Sequence, residues 1–138
     1  MSAGATLSIR LRQSTPIPLD VQFTAPAGAI TALFGPSGSG KTTILRAIAG
    51  LYVPREAEIA CGETRWTDTR DGLLVPAHRR RVGMVFQDYA LFPHLTVCEQ
   101  IELALRHLAP ARRRSRADEL IELVELAGFE NRKPAALS

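Results

Sequence analysis

Apolar and polar residues alternate along two short stretches near the start of the chain. The first stretch spans residues 7–11 and the second spans residues 19–23. Such alternation is typical of strands that bury only one face. Between them lies the segment TPIP, whose prolines favour a turn. The pattern therefore predicts two half-buried strands joined by a turn at residues 15–18.

Two other stretches are apolar without alternation. Residues 29–34 read AITALF and residues 81–86 read RVGMVF, a pattern typical of central strands covered on both faces. We therefore expect both to lie inside a sheet. Between them, residues 51–76 are irregular, with a weaker strand signal in EIAC and with Trp66, which is expected to be a packing residue.

The segment KTTILRAIAG has the period of an amphipathic helix. Its predicted buried side consists of Ile44, Leu45, Ile48 and Ala49. Gly50 is a typical C-terminal stop because glycine adopts the left-handed conformation easily. The pattern predicts a helix that begins near Lys41 and ends at Gly50.

Two further helices are predicted toward the end of the chain, after the loop QDYALFPHL. Thr96 and Glu99 have capping-box spacing, so one helix is expected to begin there and to run to about Leu108. The other is expected to follow Pro110 and to end at Gly128. Its predicted apolar stripe consists of Leu120, Ile121, Val124 and Ala127.

The segment FGPSGSGKTT lies between a predicted buried strand and a predicted helix. It has the spacing Gly-x-x-x-x-Gly-Lys-Thr, which is the phosphate-binding loop called Walker A. Several main-chain N–H groups that point at one phosphate chain require a tight bend, and glycine accepts the necessary angles and close approach. The predicted nucleotide-binding residues are Gly35, Pro36, Ser37, Gly38, Ser39, Gly40, Lys41, Thr42 and Thr43. The alternative is a glycine-rich turn with an exposed lysine.

Two side chains in this loop have predicted roles of their own. The Lys41 ammonium is expected to stabilise the β- and γ-phosphates as a point charge, and the Thr42 hydroxyl to ligate Mg²⁺. The positive end of the following helix favours the same anion. The motif therefore predicts ATP and Mg²⁺ as cofactors.

Composition places the chain among globular proteins. Its 138 residues are 46% hydrophobic, with a net charge of +3, which favours one domain and excludes a disordered chain. The arginine runs HRRR and RRRSR could contact nucleic acid or lipid headgroups. Because no aromatic residues are interspersed, a solvated helix start and a loop are the better interpretation, and no nucleic acid is expected.

The two cysteines, Cys61 and Cys98, have no metal-ligand spacing, which is typical of a reduced cytosolic protein. No run approaches the ~18 apolar residues of a membrane span. The chain is therefore expected to be soluble, with any membrane association made through a membrane protein.

The segments LFGPSGSGKTTILRAIAGL and RRRVGMVFQDYALFPHLTV together resemble the ATP-binding subunits of ABC transporters. The resemblance runs from about Leu7 to the last residue. It implies that Gln87 is the Q-loop glutamine, which contacts Mg²⁺ and the attacking water; taken alone, Gln87 is an ordinary strand-end amide. Residues Asp88 to Val97 would then contact transmembrane permease subunits.

The resemblance also implies the setting in which the chain works. LFPHLTV and WTDTRDGLLVPAHRRRVG are most similar to the molybdate-importer branch, although importers of other oxyanions, polyamines and sugars have similar segments. The intact subunit would form a head-to-tail dimer with a second ATP-binding subunit. It would be cytoplasmic and peripheral on the cytoplasmic face of the cell membrane, where ATP hydrolysis drives transport.

The predicted fold is therefore α/β, a P-loop NTPase fold of the ABC ATPase type. It would have an N-terminal antiparallel β subdomain and the start of a helical subdomain, and be incomplete at the C-terminus. All 138 residues would form the N-terminal part of one ATP-binding domain. Its predicted segments are the β subdomain and P-loop strand (1–34), the P-loop and helix (35–50), the variable region and Q-loop strand (51–87) and the start of the helical subdomain (88–138).

The sequence departs from the family pattern in two ways that matter here. An aromatic residue usually stacks on adenine near the end of the first hairpin, whereas Ile17 is the nearest apolar residue in this chain. The signature motif would begin at Leu137, so the Walker B aspartate, the general-base glutamate and the switch histidine are not among these residues. The 138-residue chain alone is therefore expected to bind MgATP weakly at best and not to hydrolyse it.

Two alternatives remain open at this point. One is a nucleotide-binding remnant without turnover. The other is a different P-loop protein, such as a small-molecule kinase. Such a kinase needs a lid rich in arginines, and the segment RRRSR would correspond to it. A kinase offers no reason for the segment VFQDYALFPHLTV.

Overall fold

The computed structural model describes residues 5–137 of the chain. They belong to two compact units, Met1–Met84 and Val85–Ser138. Residues 1–4 and Ser138 lie outside the described part. The start of the predicted segment 1–34 and the end of the predicted segment 88–138 are therefore not described.

The first unit contains a five-stranded sheet in the order β2-β1-β3-β4-β5. Its strands are β1 (Leu7–Gln13), β2 (Leu19–Ala25), β3 (Glu56–Cys61), β4 (Thr64–Asp68) and β5 (Leu73–Leu74). Every pairing is antiparallel. The predicted hairpin is confirmed by β1 and β2, in which Leu11 pairs with Val21. The strand suggested by EIAC is confirmed as β3.

β4 and β5 were not predicted, because TRWTD contains only one apolar residue and LL is too short to show a period. The available signal was the turn before β4. Cys61 pairs with Thr64 across two intervening residues, and the first of these, Gly62, has a positive φ of 58°. A glycine in that conformation is typical of a tight β-hairpin.

The helix α1 (Lys41–Ala49) supplies the other part of the core of this unit. The prediction that it ends at Gly50 is confirmed, since Gly50 has a φ of 77° and its N–H donates to the Ala47 carbonyl. The predicted buried side is wrong at Leu45, which is 49% exposed, whereas Ala47 is 1% exposed. The buried core residues are Ile9, Leu11, Leu19, Ile44, Ala47, Ala57, Ile59 and Trp66.

The two predicted central strands are wrong for this structure. Neither residues 29–34 nor residues 81–86 form a strand, and Ile30, Phe34 and Val85 are almost fully exposed. A strand is defined by hydrogen bonds to a neighbouring strand. Within residues 5–137, no segment pairs with either stretch. Neither apolar run therefore has a neighbouring strand with which to form backbone hydrogen bonds.

The second unit contains two helices, α2 (Val97–Ala104) and α3 (Pro110–Leu123). Their core contains Val97, Cys98 and Ile121, with Ile101 and Leu126 packed against it. The predicted capping box is confirmed: the Glu99 N–H donates to the Thr96 hydroxyl (3.3 Å), and the Thr96 N–H donates to the Glu99 carboxylate (2.7 Å). α2 ends at Ala104, short of the predicted Leu108.

The end of α3 also differs from the prediction. Glu125, rather than Gly128, adopts the first positive φ after the helix (58°). The Leu126 N–H donates to the Ile121 carbonyl and the Glu125 N–H donates to the Glu122 carbonyl, which together form a Schellman motif. A left-handed conformation costs a non-glycine residue free energy. The packing of Leu126 against the core of the second unit can offset that cost. Val124 is consequently the C-cap and is exposed.

The capping box leads to a testable prediction for the second unit. We expect Thr96→Ala to lower its free energy of unfolding by about 1 kcal/mol, because a first-turn N–H loses its acceptor. Thermal unfolding followed by circular dichroism at 222 nm measures the change. An unchanged midpoint would contradict the role of this cap.

The same cap predicts a pH dependence. The Thr96 N–H lowers the pKa of Glu99 below its ordinary value by hydrogen bonding to the charged carboxylate. This stabilisation is present above the unfolded-state pKa and is lost as pH falls through the folded-state pKa. Wild type should therefore lose, as pH falls, the stability advantage that it has over Glu99→Gln, which has no titrating carboxylate at this position. Thermal unfolding of both proteins at several pH values measures this difference.

Candidate functional site

The glycine-rich segment forms a compact turn that leads directly into α1. The Ser39 N–H donates to the Pro36 carbonyl at 3.3 Å. Gly38 and Gly40 both have left-handed φ angles, 80° and 88°, which side chains other than glycine rarely adopt. The two glycines therefore allow the bend that the phosphate-binding motif requires.

The beginning of α1 has main-chain N–H groups available for an anion. Gly40 is the N-cap and has no side chain, and no residue described in the structure caps this end or places a carboxylate in its first turn. Inside the helix, the Ile44 N–H is bonded to the Gly40 carbonyl at 2.9 Å. The preceding N–H groups belong to the first turn, where intrahelical acceptors are lacking and the helix dipole is positive.

Lys41 extends back across the turn. Its Nζ donates to the Gly35 carbonyl (2.8 Å) and the Pro36 carbonyl (2.7 Å), and lies 3.4 Å from the Ser39 hydroxyl. These acceptors are neutral, so they orient the ammonium without cancelling its charge. The cradle therefore fits a polyphosphate: it combines first-turn N–H groups, a helix N-terminus and a positioned cation.

The turn of the first hairpin packs against this cradle. A Cβ placed on Gly40 would overlap Cδ2 of Leu19 and would lie 3.5 Å from Cγ2 of Ile17. Ile17 is half-buried in the turn between β1 and β2. The segment in which an adenine-stacking aromatic was expected therefore lies beside the phosphate loop.

The two glycines provide a matched pair of substitutions. Gly38→Ala should cost about 1 to 2 kcal/mol, because only the left-handed backbone is strained and a Cβ there has open space. Gly40→Ala should cost about 2 to 5 kcal/mol, because the overlap with Leu19 adds to the same strain. Denaturant unfolding followed by Trp66 fluorescence measures both. Equal effects would show that the Gly40–Leu19 contact is unimportant.

The predicted site residues are distributed between the two units. Residues 35–43 lie together in the first unit, where Thr42 is exposed on the first turn of α1. Gln87 lies in the second unit and is exposed in a turn in which the Tyr89 N–H donates to the Phe86 carbonyl. The structure thus groups the phosphate-loop residues, whereas the role of Gln87 remains a prediction.

The segment from Asp88 to Val97 presents apolar side chains to solvent. Tyr89, Leu91 and Phe92 are exposed, and the Phe92 N–H donates to the Gln100 side chain at 3.1 Å. Val97, in contrast, is buried in the core of the second unit. The exposed part is therefore residues 88–94.

Arg80 is a residue whose importance the sequence did not indicate. The sequence predicts that the run HRRR is solvated, but Arg80 is only 6% exposed. All five of its N–H groups have acceptors. The acceptors are the carbonyls of Val75, Ala47, Ile48 and Trp66 and the hydroxyl of Thr67.

These contacts make Arg80 a C-terminal clamp for the helix that follows the phosphate loop. The guanidinium binds the last carbonyls of α1 and connects them to β4, and burial lowers the pKa of Arg80. A Cβ on Gly50 would lie 2.8 Å from its Nε, so Gly50 also provides room for this side chain. The run HRRR alone cannot reveal which of its arginines points inward.

Two features are absent from residues 5–137. No helix there has both the length and the apolar character needed to cross a membrane. The same residues contain no cluster of three histidine, cysteine or carboxylate side chains arranged to hold a metal ion. Cys61 and Cys98 are both free, and their redox state stays a prediction from the sequence.

Comparison with known proteins identifies relatives of this chain. It is 42% identical over 120 residues to the molybdenum import ATP-binding protein ModC 1 of Azotobacter vinelandii, covering 87% of this chain and 33% of that protein. It is 43% identical over 121 residues to the sulfate/thiosulfate import ATP-binding protein CysA of Synechocystis, covering 86% of this chain and 32% of that protein. The chain thus spans about a third of the length of these relatives.

Solved structures agree with this relationship. A dimeric structure of the bacterial ABC transporter cassette MJ0796 superposes with a TM-score of 0.66 at 30% identity, covering 96% of this chain and 63% of that one. A post-hydrolysis dimer of the same cassette, bound to ADP and phosphate, gives the same values. The predicted fold class is therefore confirmed. Because the ABC transporter family profile also matches residues 19–138, the chain belongs to the ABC transporter family of ATP-binding proteins.

Proposed function

We propose that this chain provides the nucleotide-binding part of the energy-coupling subunit of an ABC importer. The observation that carries the proposal is the position of Lys41, whose ammonium lies across the phosphate-loop turn at the N-terminus of α1. An ammonium held by neutral carbonyls can exchange one of these acceptors for a phosphate oxygen without losing an ion pair.

The loop residues have distinct tasks in this proposal. The N–H groups of Gly38, Gly40, Lys41 and Thr42 bind phosphate oxygens, and the Lys41 ammonium stabilises the charge of the β- and γ-phosphates. Mg²⁺, when bound, neutralises charge on the same phosphates. The Thr42 hydroxyl and the Gln87 side chain are the residues that would hold it.

The partners follow from the importer relatives. We propose that the exposed apolar side chains of the segment Asp88 to Val97 contact transmembrane permease subunits, and that Gln87 links this contact to the nucleotide. A second ATP-binding subunit would complete the site in a head-to-tail dimer. The dimeric structure of MJ0796 supports the pairing of two such subunits. The protein would then work at the cytoplasmic face of the membrane.

The transported substrate is proposed to be molybdate or a similar oxyanion. Relatives named for molybdenum import support this choice, and the sulfate importers CysA match at comparable identity. The names of these relatives therefore cover two kinds of imported substrate, molybdenum and sulfate or thiosulfate. The permease and its binding protein, rather than the residues of this chain, would distinguish between them.

The experiment that tests this function is a calorimetric titration of the full chain with ATP, with and without Mg²⁺. Saturable binding of one ATP per chain is expected, stronger with Mg²⁺ present. A parallel phosphate-release assay should detect no hydrolysis by this 138-residue polypeptide. Absence of binding at millimolar ATP would contradict the proposed function, and Mg²⁺-dependent phosphate release would contradict the proposed lack of hydrolysis.

A further inference from the structure

We propose that Gln13 is a positioning residue for the nucleoside part of the ligand. In this inference, which rests on the proposed function, Gln13 holds the β1–β2 turn and its Ile17 side chain beside the phosphate loop. The consequence is selectivity. The site would bind a nucleoside triphosphate more tightly than a polyphosphate without a nucleoside.

The first observation is the environment of Gln13. It is the last residue of β1 and is only 6% exposed. Its Nε2 donates to the Ile17 carbonyl at 2.7 Å, and its Oε1 accepts from the Tyr52 hydroxyl at 2.8 Å. A buried amide with both ends bonded specifies one geometry, since a rotation about its axis would leave both partners unsatisfied.

The second observation is the nature of the turn that Gln13 holds. Residues 14–18 include Pro16 and Pro18, which have no N–H to donate. Among the described residues, no main-chain hydrogen bond closes this turn outside the β1–β2 ladder. The bond from Gln13 to the Ile17 carbonyl is thus the internal tie that orients Ile17.

The third observation is where the turn lies. Ile17 and Leu19 are the side chains nearest to the Cβ direction of Gly40, the residue at which the phosphate loop becomes α1. A group attached to a phosphate held in this loop would emerge beside the hairpin turn. Ile17 offers that group an aliphatic surface without hydrogen-bonding atoms, which is suited to the face or edge of a base.

Tyr52 extends this arrangement to the far end of α1. It follows the C-cap Gly50 and packs against the core of the first unit. The hydrogen bonds Tyr52–Gln13–Ile17 therefore join the segment after α1 to the turn beside its N-terminus. The phosphate loop and the nucleoside surface are thereby held to the same helix.

The test compares two ligands, ATP and inorganic tripolyphosphate, both with Mg²⁺, in calorimetric titrations of the full chain. Gln13→Leu should weaken ATP binding about tenfold and leave tripolyphosphate binding within about twofold of wild type. Tyr52→Phe, which keeps the ring, should shift ATP affinity in the same direction by about threefold. Gln22→Leu, at an exposed position of β2, is the matched control and should change neither affinity.

A double substitution separates positioning from a general structural effect. If Gln13 acts through Ile17, the two substitutions affect the same contact. The double variant Gln13→Leu/Ile17→Ala should then have the same ATP affinity as whichever of the two single variants binds ATP less tightly. Equal losses for ATP and tripolyphosphate, additive losses in the double variant, or unchanged ATP affinity in both Gln13→Leu and Tyr52→Phe would each overturn the inference. Wild-type chain that binds tripolyphosphate but not ATP would also overturn it. Wild-type chain that binds neither would overturn the proposed function itself.

Discussion

Replacing Lys41 by alanine is expected to weaken MgATP binding about 100-fold, equivalent to about 2.7 kcal/mol. The substitution removes the cation that lies across the phosphate loop, while the main-chain N–H groups and the helix dipole remain. These groups are dipoles rather than full charges, so they cannot compensate for a missing ammonium beside a polyphosphate. The dissociation constant from calorimetry measures the loss.

The matched control is Lys133→Ala, which removes the other lysine of the chain from an exposed position in the second unit. It makes the same change in net charge, so any effect of overall charge on ATP affinity appears in both variants. Only Lys41→Ala should lose affinity beyond that shared effect. If both variants bind MgATP as wild type does, the assignment of Lys41 to the phosphates is wrong.

Replacing Arg80 by methionine is expected to lower the free energy of unfolding of the first unit by about 3 to 5 kcal/mol. Methionine retains an unbranched apolar side chain but donates no hydrogen bond. The five acceptors of Arg80 then lose a charged donor. The Ala47 carbonyl keeps the Gly50 N–H, whereas the Ile48 carbonyl at the end of α1 loses its partner. The lost charge-assisted hydrogen bonds and the carbonyls left without a donor account for most of the cost.

Trp66 reports on this unit because it is the only tryptophan of the chain and lies in its core. Guanidinium unfolding followed by its fluorescence gives the midpoint, which is informative even if the substitution changes the intensity of the nearby ring. Arg81→Met, at the exposed neighbouring position, is the control and should leave the midpoint almost unchanged. Coincident midpoints for Arg80→Met and wild type would show that the clamp contributes little.

Features that depend on neighbouring residues were predictable from the sequence. The β1–β2 hairpin, the start and end of α1 and the capping box of α2 each follow from alternation, periodicity or a capping residue within a few positions. The bend of the phosphate loop was predictable for the same reason, because its glycines and Lys41 all lie within one short segment.

Features that depend on distant segments were not predictable in the same way. The runs at residues 29–34 and 81–86 have strand composition, but a strand requires a paired neighbour, and within residues 5–137 neither run has one. Leu45 is exposed although its position predicts burial, and Ala47 is buried in its place. The sheet that α1 covers determines which side of the helix is buried. Arg80 likewise became a clamp only through acceptors on α1 and β4.

In the proposed function, main-chain N–H groups of the phosphate loop, together with Lys41, bind the polyphosphate of ATP. Amide chemical shifts of ¹⁵N-labelled full chain during a titration with MgATP test it most directly. The amides of Gly38, Gly40, Lys41 and Thr42 are expected to shift together and to saturate with the calorimetric dissociation constant. Saturable ATP binding that leaves these amides unshifted would contradict it.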